Sequence, residues 1–160
     1  MKSVSAALLV VSASLLTPST GWADPAVDAV PTEQSSAVRD ACAQFGQALN
    51  LAAESYDEFA YATAGGGDAV NYTDQKVWRS NVIGRTALRE TAYAVLNASR
   101  TPGLPPDVSQ PMRTWSLHAT KLLVIMGVRG GGDALNAAAD QLNTDAREGQ
   151  MACARHGGLA

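Results

Sequence analysis

Apolar and small residues recur from residue 38 onward at alternating steps of four and three positions. They are Val38, Cys42, Phe45, Leu49, Ala52, Tyr56, Phe59 and Thr63. Because an α-helix turns once every ~3.6 residues, this spacing places them in one stripe along a helix, as in the seams of bundles and coiled coils. The pattern predicts a first helix from about Ser35 to Ala64.

Three further segments carry apolar residues at helical spacing. The second is predicted from about Thr73 to Ser99, with a stripe that Asn81 and Gly84 interrupt. The third is predicted from about Ser109 to Val128, and the fourth carries the same spacing from Leu135 to His156. No stretch of useful length alternates apolar and polar residues with a period of two, so we expect an all-α chain without a sheet.

The stretch Thr101–Pro111, TPGLPPDVSQP, separates the second and third segments. Proline lacks the amide donor that a helix needs, and its ring clashes with the preceding turn. We therefore predict that this whole stretch is a connector.

Two similar stretches, AGGGDAVN at Ala64–Asn71 and RGGGDALN at Arg129–Asn136, fall between helical segments. Glycine is favoured at the left-handed position that closes a helix, and aspartate is a favoured N-cap. We therefore predict two turns, with Asp68 and Asp133 capping the helices that follow. A phosphate-binding loop is the alternative, but no strand precedes, no GK[ST] follows, and an N-cap aspartate would repel a phosphate. The recurrence predicts two helical hairpins in tandem and leaves open whether they arose by duplication.

Two hairpins in tandem make an antiparallel up-down-up-down four-helix bundle, in which the start of the first helix lies beside the end of the fourth. The two cysteines, Cys42 and Cys153, fall near those ends and on the apolar stripes. In an oxidising compartment such a pair most simply forms one disulfide. The alternative is two unrelated buried thiols.

The N-terminus has the pattern of a secretory signal peptide. Lys2 precedes an uncharged run of apolar and small residues, Val4–Leu16, and small residues at Gly21 and Ala23 suit a cleavage site. No later stretch has the ~18 uncharged apolar residues of a membrane helix. We therefore expect an exported protein of the cell envelope or extracellular space, without a transmembrane segment once the signal peptide is removed.

The predicted organisation is a signal peptide over residues 1–23, a flexible segment over 24–34, a helical bundle over 35–157 and a C-terminal tail over 158–160. Removal of the signal peptide takes away one of the 12 basic residues, so 11 face 15 acidic ones and the net charge is −4. This balance argues against nucleic-acid binding, which depends on a basic surface.

Charged residues face one another across the first predicted turn. Counting outward from its glycines places Glu54 opposite Arg79, and Asp57 and Glu58 opposite Lys76. The simpler interpretation is a partly exposed ladder of ion pairs between the two helices. The alternative is an acidic and basic catalytic cleft.

The same count across the second turn places His118 opposite Asp145. A histidine held by a carboxylate can act as a general base, but no serine or cysteine is placed as a nucleophile, and Thr114 lacks a recognisable setting. We interpret His118 and Asp145 as a structural pair and assign no catalytic residue.

A candidate contact patch lies on the second helix at Trp78, Arg85 and Arg89. The two arginines stand one turn apart and repel each other unless an anion or a carboxylate lies between them. Val82 adds apolar surface on the same side. The alternative is an ordinary solvated face.

The sequence offers little support for a metal or a cofactor. It contains two histidines, no E-x-x-H motif on a helix and no C-x-x-C-H motif. We expect no metal site and no cofactor. The alternative is haem bound non-covalently through His118 or a tyrosine such as Tyr56, Tyr61 or Tyr93.

The chain resembles the small exported helical proteins of mycobacteria and related actinobacteria. The resemblance lies in the signal ending GWADP, the Ala/Gly-rich helices and the single Cys42–Cys153 pair, and it covers most of the chain. It implies an exported, helix-rich protein closed by one disulfide, and it transfers no functional residues.

A charged fraction of 17% and long apolar stripes suit a groove for a partner helix or a small apolar ligand. We therefore expect a non-enzymatic binding or interaction protein whose partner is a protein or a small apolar ligand. One alternative is a small secreted all-α enzyme with an arginine and carboxylate cleft around Glu54, Asp57, Arg85 and Arg89. Another is a non-covalent carrier of haem or of another apolar ligand.

Overall fold

The computed structural model describes residues 33–64 and 69–160. These residues form four helices and no strand: α1 Glu33–Thr63, α2 Gln75–Ala98, α3 Pro106–Gly127 and α4 Gly132–Arg155. The all-α prediction is confirmed. The predicted signal peptide and the predicted flexible segment up to residue 32 lie outside the described residues.

The helices form the predicted antiparallel bundle. Each helix packs along the next one in the chain, and α4 returns beside α1. Phe45 of α1 meets Trp115 of α3 edge to face, with ring centroids 5.9 Å apart, so the core is filled across its diagonal. Each large apolar side chain buried there contributes about 1.5–3 kcal/mol to folding. The largest fully buried ones are Trp115, Phe45, Phe59, Leu88, Met112, Leu122 and Met126.

The disulfide between Cys42 and Cys153 is present and joins the start of α1 to the end of α4, with the two Cα atoms 5.7 Å apart. Both cysteines are fully buried. Gly158 packs over the bond, since a Cβ there would lie 2.9 Å from Cys42 Sγ. The last residue, Ala160, lies against Gly46 of α1, so residues 158–160 cover the disulfide end of the bundle.

The predicted connector Thr101–Pro111 is wrong over its second half, because α3 already begins at Pro106. Proline is tolerated at the first helical position, where its missing N–H would have no intrahelical acceptor. Pro111 lies inside the helix and removes one further backbone bond. Val108 and Met112 are fully buried on this first part of α3, and their burial outweighs that loss.

The predicted N-caps are also wrong. The cap of α2 is Asp74, whose carboxylate accepts bonds from the Lys76 and Val77 amides at 2.7 and 3.1 Å, and not Asp68, which lies outside the described residues. The cap of α4 is Gly131, which offers no side-chain acceptor. Asp133 instead lies in the first turn of α4, where its negative charge interacts favourably with the positive end of the helix dipole.

The left-handed position that closes α3 is not held by a glycine, as predicted. It is held by Arg129, with a φ of 59°, and the second positive φ of this turn, 58°, is at Gly132. The Gly130 amide bonds the Ile125 carbonyl at 2.8 Å, and the Arg129 amide bonds that of Met126 at 3.3 Å, which closes the helix in a Schellman motif. Gly130 is required for space, because a Cβ there would lie 2.7 Å from Ile125 Cγ2.

Candidate functional site, a groove between α1 and α4

The seam between α1 and α4 is the least closely packed of the four seams between neighbouring helices. At one end the Cys42–Cys153 bond holds the two helices together. One turn further in, Gly149 brings α4 against the Phe45 ring. Beyond that point the helices leave an open groove of about 230 Å³. We call it the α1–α4 groove; its lining residues are Leu49, Asn50, Ala52, Ala53, Tyr56, Leu88, Trp115, Leu122, Ala139, Leu142, Asn143, Ala146 and Gln150.

The floor of the groove is apolar and comes from the other two helices. Leu88 of α2 and Trp115 and Leu122 of α3 are each about 1% exposed, and they reach under the seam. The facing positions on α1 and α4 carry small residues such as Ala52 and Ala146. Leu49 and Leu142 also line the groove, so the space above the floor is only partly filled.

The rim of the groove is polar but uncharged. Asn50 of α1 and Asn143 and Gln150 of α4 are exposed carboxamides along its edge. Each carboxamide offers both hydrogen-bond donors and an acceptor. No aspartate, glutamate, lysine, arginine or histidine lines the groove where it is described.

Tyr56 separates this groove from a second cavity further along the same seam, of about 410 Å³, that it also lines. Its ring packs at 6.0 Å from Phe59, which stacks at 6.2 Å on Tyr72. The Tyr72 hydroxyl donates to the Gly130 carbonyl at 2.6 Å, which links the two interhelical turns. Burial, and then the nearby Tyr72 hydroxyl and Asp140 carboxylate, raise the pKa of Tyr56 above its ordinary value. The Tyr56 phenol is therefore neutral at physiological pH.

His118 and Asp145 are brought together between α3 and α4. His118 Nδ1 lies 2.5 Å from Asp145 Oδ2, and Gln141 Nε2 donates to the other carboxylate oxygen at 3.0 Å. The Asp145 side chain is 3% exposed and that of His118 is 27% exposed. Both oxygens of the buried carboxylate therefore have partners. No hydrogen bond joins His118 to the Thr114 hydroxyl, and neither member of the pair lines the α1–α4 groove.

The candidate contact patch is only partly assembled on one surface. Trp78 is 51% exposed, Val82 is 40% exposed and Arg89 is also exposed. Arg85, by contrast, folds against Gly127 of α3, and its Nε atom is buried without a hydrogen-bond partner. The exposed surface of this patch is therefore carried mainly by the tryptophan, the valine and one arginine.

The predicted ladder of ion pairs between α1 and α2 does not form. Within residues 33–64 and 69–160 no lysine or arginine nitrogen lies within 4.0 Å of a carboxylate, and both ion pairs found there involve histidine. Lys76 instead lies over the Tyr61 ring, 4.6 Å from its centroid. Long side chains on an exposed face gain too little from pairing to be held in one geometry.

The residues of the proposed enzymatic cleft are not gathered around the open seam. Glu54, Asp57 and Arg89 are exposed, and none of them, nor Arg85, lines the α1–α4 groove or the cavity beyond Tyr56. The structure therefore gives the four charges no common cleft at this seam.

In the part of the chain that the structure describes, no three His, Cys, Asp or Glu side chains are grouped to hold a metal ion. Of the tyrosines considered for haem, Tyr61 and Tyr93 are 74% and 68% exposed, and only Tyr56 lines the groove. The groove is smaller than the ~300–1,000 Å³ of sites for drug-sized ligands, which does not favour haem. No helix within the described ranges has the length and apolarity needed to cross a membrane.

The sequence carries a signal for the groove in the placement of its alanines. Alanines stand at stripe positions of both helices that form the seam, at Ala52 on α1 and at Ala139 and Ala146 on α4. Facing alanines leave a seam either tightly closed or unfilled. The 4-3 periodicity does not distinguish these outcomes, since it fixes which residues face the core and not how far apart two helices lie.

The fold and the groove define a small four-helix bundle, closed by one disulfide and grooved along one seam. Residues 11–154 match the family model of the Rv2240c four-helix bundle domain, so the chain belongs to this mycobacterial family. The family description gives an architecture and no activity. No curated protein and no solved structure matched the chain.

Proposed function

We propose that this chain is an exported, non-enzymatic binding protein that holds a small apolar ligand in the α1–α4 groove. The observation that carries the proposal is the groove itself, whose apolar floor of Leu88, Trp115 and Leu122 lies beneath an uncharged rim. Concave apolar sites with a few placed polar groups are typical of small-molecule binding. A protein without a ligand would gain stability by filling this space with larger side chains than alanine.

The size of the groove limits its ligand. At ~30 Å³ for each methylene-sized group, about the share of one water molecule in the liquid, a volume of about 230 Å³ holds roughly eight groups. Burying eight methylenes at ~0.8 kcal/mol each gives about 6 kcal/mol. Before the entropic cost of association is subtracted, that free energy corresponds to a dissociation constant on the order of 10–100 μM, which is therefore the tightest value expected.

The proposal of export rests on two features. One is the signal-peptide pattern of residues 1–23, with Lys2, the apolar run and the small residues before Asp24. The other is the Cys42–Cys153 bond, because disulfides persist in oxidising compartments and are rare in the cytosol. N-terminal sequencing of the protein from culture medium tests this part, and we expect it to begin at Asp24.

Binding is tested first without choosing a ligand. The exported protein is purified from its own culture medium and measured by native and then denaturing mass spectrometry. We expect a mass excess under native conditions that disappears on denaturation. A native mass equal to the polypeptide mass, in preparations never exposed to detergent or organic solvent, would count against a retained ligand.

A second measurement uses Trp115 in the groove floor. The chain has three tryptophans; a mature chain from Asp24 lacks Trp22, so Trp78→Phe leaves Trp115 as the sole tryptophan, whose emission is excited selectively over that of the four tyrosines. We expect straight-chain alcohols to shift its emission saturably at micromolar concentrations. Ala146→Phe, which fills the groove, should weaken binding at least tenfold, whereas Ala137→Phe, at an exposed position of the same helix, should leave it unchanged.

A second candidate function is contact with a protein partner across α2, favoured by the exposure of Trp78 and Val82. Oxidative footprinting tests this second function by comparing the free protein with the protein in complexes isolated from culture medium. Protection of Trp78 with unchanged reactivity of exposed Tyr93 would support a partner on this face. Equal reactivity of Trp78 in both states would argue against it.

A further inference from the structure

The geometry points to an uncharged, medium-chain amphiphile as the ligand of the α1–α4 groove, with a carboxamide or hydroxyl head at the Asn143 rim and its chain on Trp115. This inference rests on the proposed binding function and names the class of ligand. Fatty acids of the same length are the competing class of ligand. They also occupy apolar grooves in many proteins, but their carboxylate head carries a charge.

The rim is suited to a neutral head. Asn50, Asn143 and Gln150 come from both sides of the seam and offer donors and acceptors together. A primary amide or a hydroxyl can use both kinds of group. A carboxylate can use only the donors, and the acceptor oxygens of the three side chains would then face its charge.

The rim offers an anionic head no compensating cation. Arg147 is the cation nearest in sequence to Asn143 and Gln150, but it is exposed, and its guanidinium donates to the Thr144 hydroxyl at 3.3 Å. It lines a surface cavity that shares Gln150 with the groove rim and also contains Glu148, whose negative charge opposes that of Arg147. A charge brought to the groove without a partner would lose solvation without recovering it.

The field along the groove also disfavours an anion. The Asp140 carboxylate acts on the Tyr56 hydroxyl, which borders the groove, and contributes to raising its pKa. The same negative charge would act on a ligand carboxylate. The net charge of the chain, −3 before removal of Lys2, adds to this effect at low salt.

The volume of the groove limits the length of the ligand's hydrocarbon chain. A volume of about 230 Å³ holds roughly eight methylene-sized groups, so affinity should rise about three- to fourfold with each added carbon up to eight to ten carbons and then level off. Beyond that length the chain meets Tyr56 at the boundary with the second cavity.

The test compares three probes of one length, decanamide, decanol and decanoate, by Trp115 fluorescence in the Trp78→Phe protein. At pH 7.5 and low salt we expect decanamide and decanol to bind at least tenfold more tightly than decanoate. At about pH 4, where much of the decanoate takes up a proton, its affinity should approach that of decanol measured at the same pH.

A positive charge on the rim should reverse the preference for neutral probes over decanoate. Asn143→Lys should strengthen decanoate binding at least tenfold, and it should weaken decanol binding, because it removes a rim carboxamide that bonds the neutral head. Asn97→Lys, at an exposed position of α2 outside the groove, adds the same net charge and should change neither.

Each outcome bears on a different part. Decanoate binding at pH 7.5 as tight as that of decanamide would overturn the inference and leave the binding function intact. Affinity that keeps rising beyond fourteen carbons would overturn the medium-chain assignment. Binding of none of the three probes, with Trp115 still buried by its emission maximum, would refute the proposed function and the ligand class with it.

Discussion

Gly149 of α4 lies directly against the ring of Phe45 of α1, so closely that a Cβ built on the glycine would be 2.4 Å from Phe45 Cε1. The ring in turn meets Trp115 edge to face. This contact draws α4 onto α1 beside the disulfide, and the groove opens where the contact ends. Whether the seam is closed or open at a given level thus depends on which residue of α4 faces α1 at that level.

Gly149→Ala should destabilise the protein by about 1–3 kcal/mol, because the added methyl must displace the fully buried Phe45 ring. Urea unfolding measures the change. Gly127→Ala is the matched control, since a Cβ at Gly127 meets Arg85 only at ordinary contact distances of 3.6 Å or more. If the free energy of unfolding falls no more in Gly149→Ala than in Gly127→Ala, the Phe45 ring has room to move.

Arg129→Gly should stabilise the protein by about 1 kcal/mol. Arg129 holds the left-handed position of the turn after α3, which a side chain with a Cβ occupies only at a cost. Arg129→Ala is the control, because it removes the same charge near Tyr72 and keeps the strained backbone. Equal free energies of unfolding for Arg129→Gly and Arg129→Ala in urea would show that a Cβ at this left-handed position causes no strain.

The bundle could be predicted because its signals are periodic and local. The stripe through Cys42 and Phe45 fixes the inner face of α1, and the glycine turns fix the number of helices. The ends of the helices depend on tertiary packing, which local rules do not contain. Asp74, not Asp68, caps α2, and α3 starts within a proline-rich stretch because Val108 and Met112 are buried on its first turns.

The candidate site was less accessible to sequence reasoning. Counting from a turn was sufficient for His118 and Asp145, which face each other across one hairpin and lie 2.5 Å apart. Charge pairs such as Glu54 and Arg79 face each other by the same count, yet exposed side chains gain too little to hold that geometry. The groove depends on the distance between α1 and α4, the two helices furthest apart in sequence.

Loss of the disulfide should cost up to about 4–5 kcal/mol, the chain-entropy value for a closed loop of about 100 residues; here the cysteines are 111 positions apart. That is a large part of the ~5–15 kcal/mol that stabilises a typical domain. Cys42→Ala/Cys153→Ala and the reduced wild type should lose similar amounts in urea unfolding. A loss below about 1 kcal/mol in both would mean that packing alone holds the ends together.

The Asp107–His156 pair should make stability depend on pH at acidic values. His156 Nε2 lies 2.7 Å from Asp107 Oδ2, and the hydrogen bond to His156 is the largest cause that holds the pKa of Asp107 below its ordinary value. A carboxyl with a lowered folded pKa stabilises the fold above its unfolded pKa and loses that effect as pH falls through the folded one.

Asp107→Asn should therefore lower the unfolding midpoint near pH 5, and its difference from the wild type should diminish as pH falls toward 2. Thermal unfolding at a series of pH values measures both. Glu33→Gln, an exposed acid in the first turn of α1, serves as the control for a change of surface charge. A constant difference between Asp107→Asn and the wild type from pH 5 to pH 2 would exclude titration of Asp107 as its source.

Ligand binding should weaken at alkaline pH because of Tyr56. Burial raises the pKa of its phenol, so the group is neutral over the physiological range and becomes charged only above its ordinary value near 10. A phenolate at the boundary of the groove would be desolvated by an apolar ligand, which therefore binds the neutral form more tightly and raises the pKa of Tyr56 further. Decanol affinity should fall as pH increases above about 10. The part of the tyrosine absorbance titration that is missing in Tyr56→Phe should move to higher pH when decanol is present. Tyr56→Phe keeps the ring and lacks the titrating group, so its affinity should stay constant over the same range. A decline in Tyr56→Phe equal to that of the wild type would place the alkaline effect elsewhere in the fold and remove Tyr56 from the ligand's surroundings.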